Sequence, residues 1–138
     1  MIRTSKLFNL AILFLGVVGV LANEAAAQRV TLRAKLATTG IEQKASGAVQ
    51  YEQKGKHIEF ALEAEGLYVS KKLSVFVAGR LIGITKVDVD GNADLHLSNL
   101  ASELQNGDSV EVRNQDGKPV LRGVLRGRKA ADPVDGNK

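Results

Sequence analysis

Four groups of side chains in this sequence have the types that could do chemistry. Asp88, Asp90, Asn92 and Asp94 surround Gly91 and offer the oxygen ligands that a calcium ion takes. The helix-loop-helix calcium loop sets its Gly after the third acidic position and adds a distal Glu, and neither feature is matched here. Asp and Asn beside Gly are also what a tight reversal needs for its backbone. A solvated hairpin turn is therefore the expectation. His57 and His96 form the second group, with Glu59 and Asp94 close by in sequence. A metal site would require the two imidazoles to converge in space with such carboxylates. The spacing alone reads as two exposed histidines at unrelated positions.

The third group is basic: Arg122, Arg126, Arg128 and Lys129, in a stretch with no acid between Gly117 and Ala131. A positive stripe of this kind suits an envelope protein or an acidic polymer as partner. Nucleic acid is not expected, because only Tyr51, Phe60, Tyr68 and Phe76 follow the apolar N-terminal run and Trp is absent. The ordinary account is pairing across strands with Glu59, Glu63, Glu65 or Glu111, and it is the favoured one. The fourth possibility is an enzyme. No G-x-S-x-G elbow, no H-E-x-x-H and no Gly-rich phosphate loop occurs. Glu59, Glu63 and Glu65 share one solvent face, where nothing separates their acidities. The chain is read as non-enzymatic, and no cofactor is implied.

The elements that must position these residues are strands. Leu73, Val75 and Val77 share one face of a strand, with Phe76 an apolar exception on the other. The chain turns at Ala78-Gly79-Arg80 and runs out from Leu81 to Val89. It reverses again at Asp90-Gly91 and returns with Ala93, Leu95 and Leu97 on one face. This reads as a three-stranded antiparallel meander. Earlier strands are expected at Arg29 to Leu36, Ala45 to Glu52 and His57 to Glu65. The first has a basic outer face and the last an acidic one. A final hairpin is expected from Ser109 to Arg113 and Val120 to Arg126, across Asp116-Gly117, with Pro119 at a strand start. Leu100 to Leu104, behind Ser98 and Asn99, reads as one helical turn. Seven to eight short strands at roughly 10-residue intervals imply an all-β, antiparallel β-sandwich or small barrel.

Composition sets the context. The chain has 138 residues and a formal charge of +4, and no Cys excludes disulfides, thiolate metal sites and a cysteine nucleophile. Residues 1–27 have the layout of a secretory signal: Arg3 and Lys6, an apolar run from Phe8 to Leu21, then Ala25-Ala26-Ala27. That run is shorter than the ~20 residues a bilayer span needs. Cleavage before Gln28, export to the periplasm or beyond, and no membrane span after cleavage are the expectations. Residues 28–129 would form one domain, and 130–138 a disordered tail.

The runs ASGAVQYEQ, IEFALEAEGL and LSVFVAGRLIGITKVDVDGNADLHL together resemble small exported bacterial all-β domains that occur singly or in tandem. Their shared pattern is Gly-Leu after an acidic strand, a V-x-V-x-G hairpin and a D-x-x-G-x-A-x-L close. The layout is more remotely similar to chordin-type domains and the copper/zinc superoxide dismutase sandwich. The His-x-His pair of the copper sandwich has no counterpart in Leu73 to Val77, so the resemblance implies a fold and no copper chemistry. Function is accordingly expected as a binding or structural module of the bacterial envelope, with metal binding, calcium or transition metal, as the alternative.

Overall fold

The computed structural model describes residues 29–127. The expected secretory signal (1–27), the expected tail (130–138), Arg128 and Lys129 lie outside the described residues. The described residues form nine strands: β1 (Arg29–Thr38), β2 (Ser46–Lys54), β3 (His57–Glu65), β4 (Lys72–Val77), β5 (Arg80–Lys86), β6 (Ala93–Ser98), β7 (Ser109–Arg113), β8 (Pro119–Val124) and the short β9 (Arg126–Gly127). They make one antiparallel sheet in the order β5-β4-β7-β8-β1-β2-β3-β6, with β9 also on β1. The two edge strands, β5 and β6, come together and nearly close the sheet into a barrel. Thr85 Oγ1 donates to the Asp94 carbonyl across that seam at 2.6 Å. Gly83 lies against the Leu95 side chain, where an added Cβ would come within 2.7 Å of Leu95 Cδ2.

Alternation carries this architecture. Leu32, Ala34 and Leu36 of β1, Val49 and Tyr51 of β2, and Phe60, Leu62 and Ala64 of β3 are all buried, as are Leu73, Val75 and Val77 of β4. Side chains of period two on strands of one sheet point to one side, and closing the sheet turns that side into the interior. Val30 is the departure on β1: it has the inward parity but is partly exposed near the barrel rim.

Two features differ from the sequence reading. The meander is broken at its second turn. Asp88 to Gly91 does reverse the chain, with Asp88 N–H donating to the Asn92 carbonyl at 2.8 Å. β6 nevertheless pairs with β3, Leu95 opposite Leu62 and Leu97 opposite Phe60. β5 pairs with β4 alone. Alternation in β6 is the same for either neighbour, so it could not choose between them. Leu100 to Leu104 forms no helical turn. The segment is an irregular strap from β6 to β7, and its buried Leu104 gives its N–H to Tyr51 Oη at 3.2 Å. That phenol sits inside the barrel, and burial pushes its pKa up. A helix here would not deliver the Leu104 N–H to that oxygen while spanning from one strand to the other.

Candidate functional site

Every pairing in the sheet is antiparallel, so β1, β3, β5 and β7 run one way and the strands following them run back. The four connections 39–45, 66–71, 87–92 and 114–118 therefore gather at one end of the barrel. Arg29 and Gly127 lie toward the other. Hydrogen bonds between the four connections hold them as a unit. Glu42, 5% exposed, accepts the N–H groups of Val69 and Ser70 on Oε2 at 3.0 and 2.6 Å. Leu67 N–H donates to the Gly91 carbonyl, and Val87 N–H to that of Lys71. Gln115 Oε1 accepts the Lys71 N–H at 2.9 Å. Gly66 permits this convergence: its φ is +76°, and a Cβ there would stand 2.1 Å from the Lys44 carbonyl oxygen.

This framework presents apolar side chains to water. Val89 is 100% exposed, Val69 70%, Tyr68 62% and Ile41 50%. They sit on three of these loops: Val69 is tied to Glu42, which follows Ile41 in sequence, and the Tyr68 ring lies against Gly91, two residues from Val89. A buried carboxylate thus fixes the backbone of a connection that exposes apolar side chains, where connections are ordinarily polar. A cleft of about 310 Å³ opens beside this end, between β1, β2, β3 and β6, with Lys35, Ala48, Glu63 and Asn92 in its lining. Nothing in the sequence marked Ile41, Tyr68, Val69 and Val89 as a group. The available signal was the apolar Leu-Tyr-Val immediately after Gly66, where a connection is ordinarily polar.

Of the residues singled out in the sequence, Asp88, Asp90 and Asn92 lie on the 87–92 connection at this same end, and the others fall elsewhere. Asp88 uses its carboxylate on its own turn, Oδ1 accepting from the N–H groups of Asp90 and Asn92 at 2.8 and 3.0 Å. Asp94 stands on β6 opposite Glu63. Among the described residues, no three His, Asp or Glu side chains already surround a point that could hold a metal ion. Arg122 lies directly opposite Glu111 and donates through Nε to its Oε2 at 3.0 Å. Arg113 donates to Oε1 of the same carboxylate at 2.7 Å and stacks over Phe76, 4.2 Å from the ring centroid. These guanidinium groups, Arg113 first, hold the Glu111 carboxyl below its ordinary range. Arg126 is exposed and faces Arg33 on β1. The basic strand thus lies against the basic outer face of β1, and β2 separates that face from the acidic outer face of β3.

The two histidines do converge. Glu59 Oε2 is 2.8 Å from His57 Nε2, and its Oε1 is 3.3 Å from His96 Nε2. Register brings this about: Glu59 stands two residues along β3 from His57, and Ala61, two further, is opposite His96 on β6. Directly across β2 from Glu59 is Glu52, whose carboxyl is pushed up chiefly by burial, with the Glu59 charge adding to the effect against Arg29. Arg29 Nε lies 3.2 Å from Glu52 Oε2, an ion-pair distance, yet that oxygen accepts no hydrogen bond.

Among the described residues, no helix is long and apolar enough to cross a membrane. No protein-family model matches the chain, and no curated protein matches it.

Proposed function

We propose that this chain is an exported, non-enzymatic binding module of the cell envelope whose loop-bearing barrel end docks a partner. The observation that carries the reading is the exposure of Ile41, Tyr68, Val69 and Val89 on loops tied together through Glu42 and the Leu67–Gly91 hydrogen bond. Contact surfaces gain most from aromatic and aliphatic side chains that are already held in place, because little freedom is then lost on binding. Export rests on the secretory layout of residues 1–27. The basic strand is the weaker surface for docking, since Arg122 is committed to Glu111.

The test begins with a partner captured from envelope extract, then purified. Its affinity is measured for the native protein, for a Tyr68→Ser, Val69→Ser, Val89→Ser variant and for an Arg122→Glu, Arg126→Glu variant, all checked for folding by circular dichroism. A loss of at least about tenfold in the first variant, with little salt dependence, is expected, since apolar contacts are not screened. Unchanged affinity in that variant, or a loss confined to the charge-reversed one, would move the binding surface to the basic strand.

A further inference from the structure

We propose that the cleft on the outer face of β1, β2 and β3 binds a free basic amino acid, of the kind represented by arginine or lysine. Register builds this cleft. Lys35, Ala48 and Glu63 stand in one row across the three strands, and Ala37, Ser46 and Glu65 stand in the next. Leu36, Val49 and Ala64 alternate with them and are buried, so these six side chains have the outward parity. The short Ser46 and Ala48 of β2 therefore lie between the longer Lys35 on one wall and Glu63 and Glu65 on the other, and the trough holds about 310 Å³. The next outward residue of β2 is the longer Gln50, which takes no part in the lining. Small-ligand clefts span about 300–1,000 Å³, and a trough at the lower limit suits a molecule of amino-acid size.

Charge selects the kind of amino acid. The β1 wall supplies one cation, Lys35, and the β3 wall two anions, Glu63 and Glu65, with Asp94 opposite Glu63 on the side away from the cleft. A ligand with one carboxylate and two cationic groups is the complement of that set. Its carboxylate meets Lys35, its α-ammonium and side-chain cation meet Glu63 and Glu65, and its aliphatic part lies on Ala37 and Ala48. The two walls stand two strand spacings apart, roughly 10 Å at the backbone, and inward reach of the Lys and Glu side chains leaves a span that such a ligand bridges. Glu63 and Glu65 also interact within the protein, and a carboxylate has acceptor sites for more than one donor. The cleft shares no residue with Ile41, Tyr68, Val69 and Val89, and its binding of an amino acid does not depend on the proposed docking.

Calorimetric titration of the purified protein with arginine, lysine, norleucine and glutamate tests the proposal. One arginine or lysine per chain is expected to bind saturably, with Kd below about 1 mM. Norleucine, which lacks the side-chain cation, and glutamate should each bind at least about tenfold more weakly. Lys35→Met should weaken arginine at least about tenfold and leave agmatine, which is arginine without its carboxylate, unchanged. A general attraction between charges predicts the reverse, because the protein and arginine are both cationic. Ala48→Leu fills the trough without altering any charge and should abolish binding, with folding of both variants checked by circular dichroism. Absence of saturable binding, equal binding of glutamate, or arginine binding unchanged in the folded Lys35→Met or Ala48→Leu protein would overturn the proposal.

Discussion

Glu111 and Glu52 are the same residue type, each on the outward parity of an antiparallel strand, and the barrel treats them oppositely. Glu111 has Arg122 directly across the ladder and Arg113 two residues along its own strand, and its carboxyl is held low. Glu52 has Glu59 across the ladder on one side and Thr31 on the other, and its carboxyl is pushed up. Arg29 is close enough to pair with it but not aligned to donate. A carboxylate on this sheet is therefore set by how deeply it is buried and by which guanidinium groups reach it: burial is the main cause that raises Glu52, while Arg113 of its own strand, then Arg122 opposite, lower Glu111. On the β7–β8 face one carboxylate is shared by two arginines, whereas on the β2–β3 face two carboxylates stand opposite each other.

A third carboxylate, Glu42, marks the extreme of this comparison, because its partners are buried backbone donors. Glu42→Ala strands the N–H groups of Val69 and Ser70 and should lower stability by about 2 kcal/mol in urea unfolding. A loss under about 0.5 kcal/mol would show that water replaces the carboxylate.

Glu111→Gln should cost about 0.5–1 kcal/mol at neutral pH, the scale of well-formed surface ion pairs. The carboxyl is lowered in the folded state, so its contribution is present above the ordinary glutamate value of 4.5 and lost as pH falls through the folded value. Native and variant stabilities should accordingly converge in acid. A constant difference across pH would assign the loss to packing of Arg113 on Phe76.

Glu52→Gln should act with the opposite sign. A raised carboxyl favours the folded state when protonated, so the native protein loses that contribution as pH rises from 4.5 through the folded value. The variant should match or exceed the native stability at neutral pH, by about 0.5 kcal/mol, and the advantage should vanish in acid. Destabilisation at neutral pH would show that the Arg29 ion pair outweighs burial. The smallest effect on stability is expected at the docking loops: Val89→Ser is fully solvated and should change unfolding by less than about 0.5 kcal/mol.

Much of the barrel was legible in advance. β3 and β7 have the bounds that alternation indicated, and β1, β2, β4 and β8 differ from the expected strands by a few residues. Pro119 opens β8, and Gly117 takes the positive φ of the turn before it. The candidate sites were less legible. Cross-strand pairing of Arg122 with Glu111 was among the alternatives because hairpin partners lie close in sequence. The approach of His57 to His96 depends on β3 pairing with β6, a contact that joins residues 37 positions apart.

What the sequence determined by itself is the local pattern: which residues alternate, where glycine lets the chain reverse, and which faces are polar. Those properties follow from side-chain period and backbone sterics, which act over a few residues. The tertiary structure alone decided that β6 leaves β5 for β3, that two histidines share one carboxylate, and that Ile41, Tyr68, Val69 and Val89 stand exposed on tied loops. Strand neighbours are chosen by how the whole sheet closes over its core, and a period of two is identical whichever neighbour is taken.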